Sequence, residues 1–166
     1  VTAINLGLAT ATSMGFSTLD GLTMGTRCGG MDPGVLIHLM REGYAPDDLE
    51  RLLYHESGLL GLSGLSNDRR DLLADDRVES QQAIDFFVTR LGEEICRMAG
   101  TMGGLHAVIF SGGIGENSED IRDRVRQQVS FLPGLNGDGV EMLVRPADEE
   151  RQLLATTTSL GFGDQT

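Results

Sequence analysis

The chain has 166 residues, of which 40% are hydrophobic and 23% charged, a balance typical of one globular domain. Its net charge is −12, from 13 basic and 25 acidic residues, and so acidic a surface repels nucleic-acid phosphates and anionic lipids. No apolar run approaches the length that spans a bilayer. The charge and the lack of such a run together lead us to expect neither nucleic acid nor a membrane as a partner.

Two residue counts limit the chemistry further. All 13 basic residues are arginines, which excludes a phosphate-loop lysine or a Schiff-base lysine in this chain. Any anion must then be held by Arg, backbone amides, helix N-termini or a metal. The two cysteines, Cys28 and Cys96, show no spacing motif, which predicts a reduced, cytoplasmic protein. The abrupt first residues, without Met, predict a partly represented protein.

The first third of the chain predicts a hairpin, a loop and two helices. Residues 1–4 and 8–12 are rich in β-branched or small residues and predict paired strands. Residues 18–34 are rich in Gly and Met without clean periodicity, which favours a long functional loop. Asp32 and Pro33 then predict a helix start, with Gly43 as its end, and Pro46 opens a second helix.

The rest alternates helices and strands. Residues 57–66 predict a packed loop with a helical turn, and residues 78–99 carry apolar side chains at the 3–4 spacing of a core helix. The remaining predictions are a strand at 105–110, a loop at 111–117, a helix at 118–129, a strand at 140–144 and a helix at 148–154. This order indicates an α/β domain, with the 105–110 strand inside the sheet.

The segment at 111–117 (SGGIGEN) is the most informative local pattern. Its three glycines allow a ligand to approach the backbone, and the following helix offers unpaired N–H groups to an anion. A ligand loop lining a cleft and a merely tight strand-to-helix turn both fit. It is a poor dinucleotide fingerprint, since Ser118 stands where the third glycine belongs.

Arg27 lies between glycines in a second loop. Such an Arg can bind phosphate or carboxylate with its planar fork, although an ordinary surface Arg fits the same pattern. Cys28 beside it is interpreted as a small packing residue. The charged run at 67–71 is interpreted as a solvated cluster at a helix start. The acidic pair Glu149 and Glu150 is interpreted as first-turn helix charges.

Taken in order, several segments resemble the acetate kinase family, which includes propionate and butyrate kinases. They are 12–16 (TSMGF), 19–22 (LDGL), 24–27 (MGTR), 32–34 (DPG), 57–61 (SGLLG), 68–70 (DRR), 110–117 (FSGGIGEN) and 146–150 (PADEE). The resemblance implies a ribonuclease-H-like fold of the sugar kinase, heat-shock 70 and actin superfamily, incomplete at its N-terminus. It implies that residues 1–166 are the C-terminal nucleotide-binding domain of an enzyme that uses ATP and Mg²⁺ to phosphorylate a short-chain carboxylate. It also implies a cytoplasmic homodimer.

The resemblance also implies residue roles. Arg27 matches the arginine that stabilises the transferring phosphoryl group, and Glu149 matches a carboxylate that binds Mg²⁺. The nucleotide-binding positions are Asp68, Arg69 and Arg70, against the adenosine, and Gly112, Gly113, Ile114, Gly115 and Glu116, under the nucleotide.

This chain departs from the family pattern in what it lacks. The family's first phosphate loop and whole N-terminal domain have no counterpart, Ala11 replaces a usual Asp, and the stretch at 132–140 is short. The isolated chain is therefore expected to be inactive. A degenerate, non-catalytic nucleotide-binding or interaction module of the same fold remains the alternative.

Overall fold

The structure, a computed structural model, describes residues 1–135, 137 and 139–148. The described part of the chain contains four strands and seven helices. The strands are β1 (Thr2–Asn5), β2 (Leu8–Thr12), β3 (Ala107–Phe110) and β4 (Glu141–Val144); the helices are α1 (Pro33–Arg41), α2 (Pro46–His55), α3 (Gly58–Ser63), α4 (Arg69–Leu73), α5 (Val78–Met102), α6 (Gly112–Asn117) and α7 (Glu119–Gln128).

The predicted hairpin is confirmed. β1 and β2 pair antiparallel, joined by Leu6 and Gly7, whose φ angles of 50° and 81° are those of a two-residue hairpin turn. The pairing extends beyond the strands, because the N–H of Ser13 donates to the carbonyl oxygen of Val1 at 2.8 Å.

The helix starts predicted from proline are also confirmed. Asp32 caps α1 by accepting a hydrogen bond from the N–H of Gly34 at 2.8 Å, and Pro33 stands at its first position. α2 also begins at a proline, Pro46, but without a capping side chain because Ala45 precedes it, and it buries Leu49 and Leu53. Between the hairpin and α1, residues 13–32 form the predicted long loop.

The core is centred on α5, which extends three residues beyond the prediction and ends at Gly103, where φ is +74°. Its buried face packs against α3, α4, α7 and β1. Fully burying one Ile or Phe side chain stabilises a fold by about 1.5–3 kcal/mol, so this face is the main source of stability. The core residues are Leu59, Leu72, Ala83, Ile84, Phe87, Val88, Ile95, Phe110, Ile121, Val125 and Val129.

β3 was predicted to lie inside a sheet, and in the described residues this is wrong. Within the described part of the chain, β3 pairs in parallel with β4 on one edge only, and β1 and β2 form a separate two-stranded sheet. A mostly apolar cavity of about 710 Å³, lined by both β1 and β3 and by α5, separates the two sheets. The hairpin therefore never reaches the second edge of β3, and Ile109 stays 57% exposed.

The segment at 111–117 was predicted to be a loop, but most of it is the short helix α6. The chain turns at Gly112, where φ is +74°, and then winds into helix through residue 117. Sequence reasoning missed this helix because glycine is a poor helix former, whereas tertiary contacts hold the turn here. The predicted helix at 148–154 lies outside the described residues apart from Asp148. Among the helices that the structure describes, none is long and apolar enough to cross a membrane.

Candidate functional site

The loop that carries Arg27 is fixed by backbone hydrogen bonds to α2 and α3. The N–H of Cys28 donates to the carbonyl oxygen of Leu53 at 3.1 Å, and the hydroxyl of Thr26 donates to the carbonyl oxygen of Tyr54 at 2.8 Å. On the other side, the N–H of Leu59 donates to the carbonyl oxygen of Met24 at 2.9 Å. The backbone on both sides of Arg27 is therefore held by two helices.

Glycines allow this close packing. A β-carbon on Gly25 would lie 2.9 Å from the carbonyl oxygen of Asn67, and one on Gly58 would overlap the carbonyl oxygen of Met24. Gly58 also has a φ of +65°, which disfavours any other residue. Because Asn67 immediately precedes Asp68, the contact of Gly25 places the Arg27 loop beside the predicted nucleotide-binding triplet.

The side chain of Arg27 is half-buried. Its Nη1 lies 3.6 Å from the sulfur of Met24, a weak contact. None of the ion pairs formed between described residues includes its guanidinium. An Arg on a fixed backbone without an acidic partner keeps its donors available for an anion.

Cys28, next to Arg27, has an unreactive thiol. Its thiol is partly buried, and burial raises the pKa of the Cys28 thiol, which disfavours the reactive thiolate. Cys28 and Cys96 are not bonded to each other.

The triplet at residues 68–70 divides into a surface pair and a buried residue. Asp68 caps α4 by accepting from the N–H of Arg70 at 2.8 Å, and its carboxylate also accepts from the Nε of Arg70 at 3.0 Å. The hydrogen bond from the Arg70 side chain is the main reason that the pKa of Asp68 falls to about 2. Asp68 and Arg70 thus satisfy each other at the surface.

Arg69 is different, because its side chain is only 8% exposed. Among the side chains that the structure describes, its Nε is the buried polar atom without a hydrogen-bond partner. Burying such a donor without a partner costs about 1–3 kcal/mol, so this arginine is a candidate for meeting a ligand. The sequence grouped it with its neighbours as a solvated charge and missed this burial.

The glycine segment and the Arg27 loop meet at one cavity. Ile114 and Gly115 line the 710 Å³ cavity together with Met24 and Gly25. Gly112, Gly113 and Glu116 do not line it, so the prediction that this segment lines a cleft is confirmed only in part. Arg27 itself and residues 68–70 do not line this cavity, and the start of α4 adjoins the Arg27 loop through the contact between Gly25 and Asn67.

The described residues contain no group of three or more His, Cys, Asp or Glu side chains that could hold a metal ion. His38, His55 and His106 are all exposed. Glu149, the predicted Mg²⁺ ligand, lies outside the described residues.

Comparison with known proteins gives consistent matches. The sequence profile of the Acetokinase family matches residues 1–160. An acetate kinase of Methylocella silvestris is 51% identical over 141 residues, covering 84% of this chain and 33% of that protein. An acetate kinase of Rhodopseudomonas palustris is 50% identical over 123 residues, covering 74% of this chain and 31% of that protein.

Solved structures agree. The crystal structure of Porphyromonas gingivalis acetate kinase superposes with a TM-score of 0.87 at 31% identity, covering 96% of this chain and 45% of that one. A propionate kinase from Francisella tularensis gives a TM-score of 0.76 at 30% identity, covering 90% and 43% respectively. The chain thus spans 31% to 45% of the length of these relatives. The profile match over nearly the whole chain and the identities near 50% show that it belongs to the acetokinase family and has the acetate kinase fold.

Proposed function

We propose that this chain is the C-terminal, nucleotide-binding part of an enzyme that transfers the γ-phosphoryl group of ATP to a short-chain carboxylate, acetate or propionate. A carboxylate oxygen forms a bond to the γ-phosphorus, the bond to the β–γ bridging oxygen breaks, and ADP leaves with that oxygen. The products are an acyl phosphate and ADP. The membership of the acetokinase family supports the reaction class.

The observation that supports the proposal most directly is the environment of Arg27. Its backbone is held by α2 and α3, while its guanidinium has no acidic partner among the described residues. In phosphoryl transfer, catalysis depends on positioning and on stabilising charge over the equatorial oxygens. An arginine on a fixed backbone, with no acidic partner among the described residues, is suited to that role, and we propose Arg27 for it.

Two other segments, residues 68–70 and residues 112–116, are proposed to bind the nucleotide. Asp68, Arg69 and Arg70 contact the adenosine part, and the buried, unsatisfied Nε of Arg69 supports a ligand there. Gly112, Gly113, Ile114 and Gly115, with Glu116, form the loop under the nucleotide.

Mg²⁺ accompanies ATP, and Glu149 is its proposed protein ligand, directly or through water. Octahedral Mg²⁺ commonly keeps several waters and takes one or two carboxylates, so a full protein cluster is not required. When bound, the ion neutralises developing charge on the β- and γ-phosphates.

The rest of the enzyme is proposed to lie in the portion of the relatives that this chain does not span. The fold then belongs to the ribonuclease-H-like superfamily of sugar kinases, heat-shock 70 proteins and actin. Residues of β1 and β3 line the apolar cavity, which offers an apolar surface for the rest of the enzyme to pack against. A cytoplasmic homodimer, as the family resemblance implies, is part of this proposal.

The direct test restores the missing portion. The chain is combined with the part of the Methylocella silvestris relative that has no counterpart here, and acyl phosphate formed from MgATP and acetate or propionate is trapped with hydroxylamine. We expect product only from the combination, and neither part alone should give any. Nucleotide binding without product from a correctly assembled complex would instead support a non-catalytic module of the same fold.

A further inference from the structure

The carboxylate of Glu116 connects two backbone amides that are far apart in the sequence. Its Oε1 accepts a hydrogen bond from the N–H of Gly112 and another from the N–H of Ala147, each at 2.7 Å. Gly112 begins α6, whereas Ala147 follows β4. One side chain thus joins the glycine segment to the segment after β4.

The parallel pairing of β3 and β4 makes this bridge possible. Phe110 and Val144 are opposite each other at the ends of the two strands, and the N–H of Arg145 donates to the carbonyl oxygen of Phe110 at 2.9 Å. Both strands therefore end side by side, at the same end of the sheet. The amides of Gly112 and Ala147, two and three residues further on, are close enough to share one oxygen.

A second side chain holds the other end of α6. The Nη1 of Arg122 donates to the carbonyl oxygens of Gly115 and Glu116, each at 2.9 Å. These carbonyls belong to the last turn of α6, which otherwise lacks intrahelical donors. The short helix is thus fixed at its start by the Glu116 carboxylate and at its end by Arg122.

We propose that Glu116 is a positioning residue, which holds the glycine segment and the segment after β4 in one arrangement and does not touch the nucleotide or the metal. This rests on the proposed function, in which the glycine segment lies under the nucleotide. A carboxylate oxygen has two lone pairs, and both on Oε1 are taken by backbone N–H groups, so Oε1 has none left for a nucleotide or a metal. A direct contact would have to use Oε2, which the comparison of the Gln and Ala variants tests. Hydrogen bonds to an ionised acceptor are about twice as strong as neutral ones, so the bridge resists displacement.

Three variants separate positioning from direct contact. Glu116→Gln keeps a carbonyl oxygen for the two N–H groups but removes the charge, whereas Glu116→Ala removes both. Glu119→Gln is the matched control, because Glu119 is an exposed carboxylate three residues away that contacts neither amide.

The first readout is the bridge itself, in the chain alone. Backbone amide NMR of Gly112 and Ala147 should show upfield shifts and faster hydrogen exchange for both residues in Glu116→Ala. Glu116→Gln and Glu119→Gln should leave both signals near their original positions. A Glu116→Ala chain in which either amide is unchanged would overturn the proposal.

The second readout is nucleotide use in the restored enzyme described above. Glu116→Ala should raise the KM for ATP roughly tenfold, equivalent to about 1.4 kcal/mol, while Glu116→Gln stays within about threefold. Equal losses in the two variants would mean that the charge itself meets the nucleotide or Mg²⁺, and the proposal would be wrong. An assembled but inactive wild-type enzyme would refute the proposed function, while the amide signals would still decide the bridge.

Discussion

Gly58 packs directly against the carbonyl oxygen of Met24, with no room for a β-carbon between them. This contact seats the first turn of α3 on the loop that carries Arg27. The next residue, Leu59, completes it by donating its N–H to the same carbonyl oxygen at 2.9 Å. The position of Arg27 thus depends on a glycine that is more than thirty residues away in the sequence.

Gly58→Ala should therefore destabilise the chain more than Gly64→Ala. Both glycines have a left-handed φ, +65° and +61°, at the two ends of α3, so both variants pay about 1–2 kcal/mol of backbone strain. Only Gly58 meets a neighbour, since nothing lies within 4 Å of a β-carbon on Gly64. Overpacking adds about 1–3 kcal/mol, which urea unfolding of the two variants would measure. Equal losses would show that the Arg27 loop does not press on α3.

Asp68 should titrate far below an ordinary carboxyl group. Its pKa is lowered from 3.8 to about 2, chiefly by the hydrogen bond from Arg70. The carboxylate therefore contributes stability that is fully present above about pH 4 and is lost as the pH falls towards 2. Carboxyl ¹³C NMR between pH 6 and 2 should show no midpoint near 4 for Asp68. In Arg70→Gln the midpoint should rise towards 3.8, and an unchanged midpoint would contradict the pairing.

Arg69→Met should separate stability from nucleotide affinity. Met keeps the apolar stem that packs in the fold and removes the buried Nε, which lacks a partner. Since an unsatisfied buried donor costs about 1–3 kcal/mol, the free energy of unfolding should stay unchanged or rise. Affinity for ADP, measured by isothermal titration in the restored enzyme, should fall roughly tenfold. Loss of several kcal/mol of stability would instead make Arg69 a structural residue.

Much of the fold is readable from the sequence because the local signals are strong. Asp32 and Pro33 fix the start of α1, and regular apolar spacing identifies α5. The burial of Arg69 was not identifiable in this way, because it depends on how α4 packs. The helix at the glycine segment was not predictable either. It is held by the hydrogen bond between Glu116 and Ala147, which follows β4, and by Arg122, which lies in α7.

Glu149→Ala should raise the Mg²⁺ requirement of the restored enzyme much more than Glu150→Ala. The two variants remove the same charge from adjacent positions, so their difference reports contact with the ion and not net charge. Initial rates against free Mg²⁺ at saturating ATP give the comparison. Small and equal effects would return both residues to ordinary helix-terminal charges.

The central claim is that Arg27 stabilises the transferring phosphoryl group. In the restored enzyme, Arg27→Ala should lower kcat roughly 10³-fold while the KM for ATP changes only a few fold, because the interaction forms in the transition state. Arg27→Lys should recover only part of the rate, since a point charge does not reproduce the planar fork, and added guanidine should restore some rate to the Ala variant. Arg41→Ala, on an exposed arginine at the end of α1, is the matched control and should leave both constants unchanged. If Arg27→Ala instead keeps its kcat and loses affinity for ATP, Arg27 only binds the nucleotide and the account of its role is wrong.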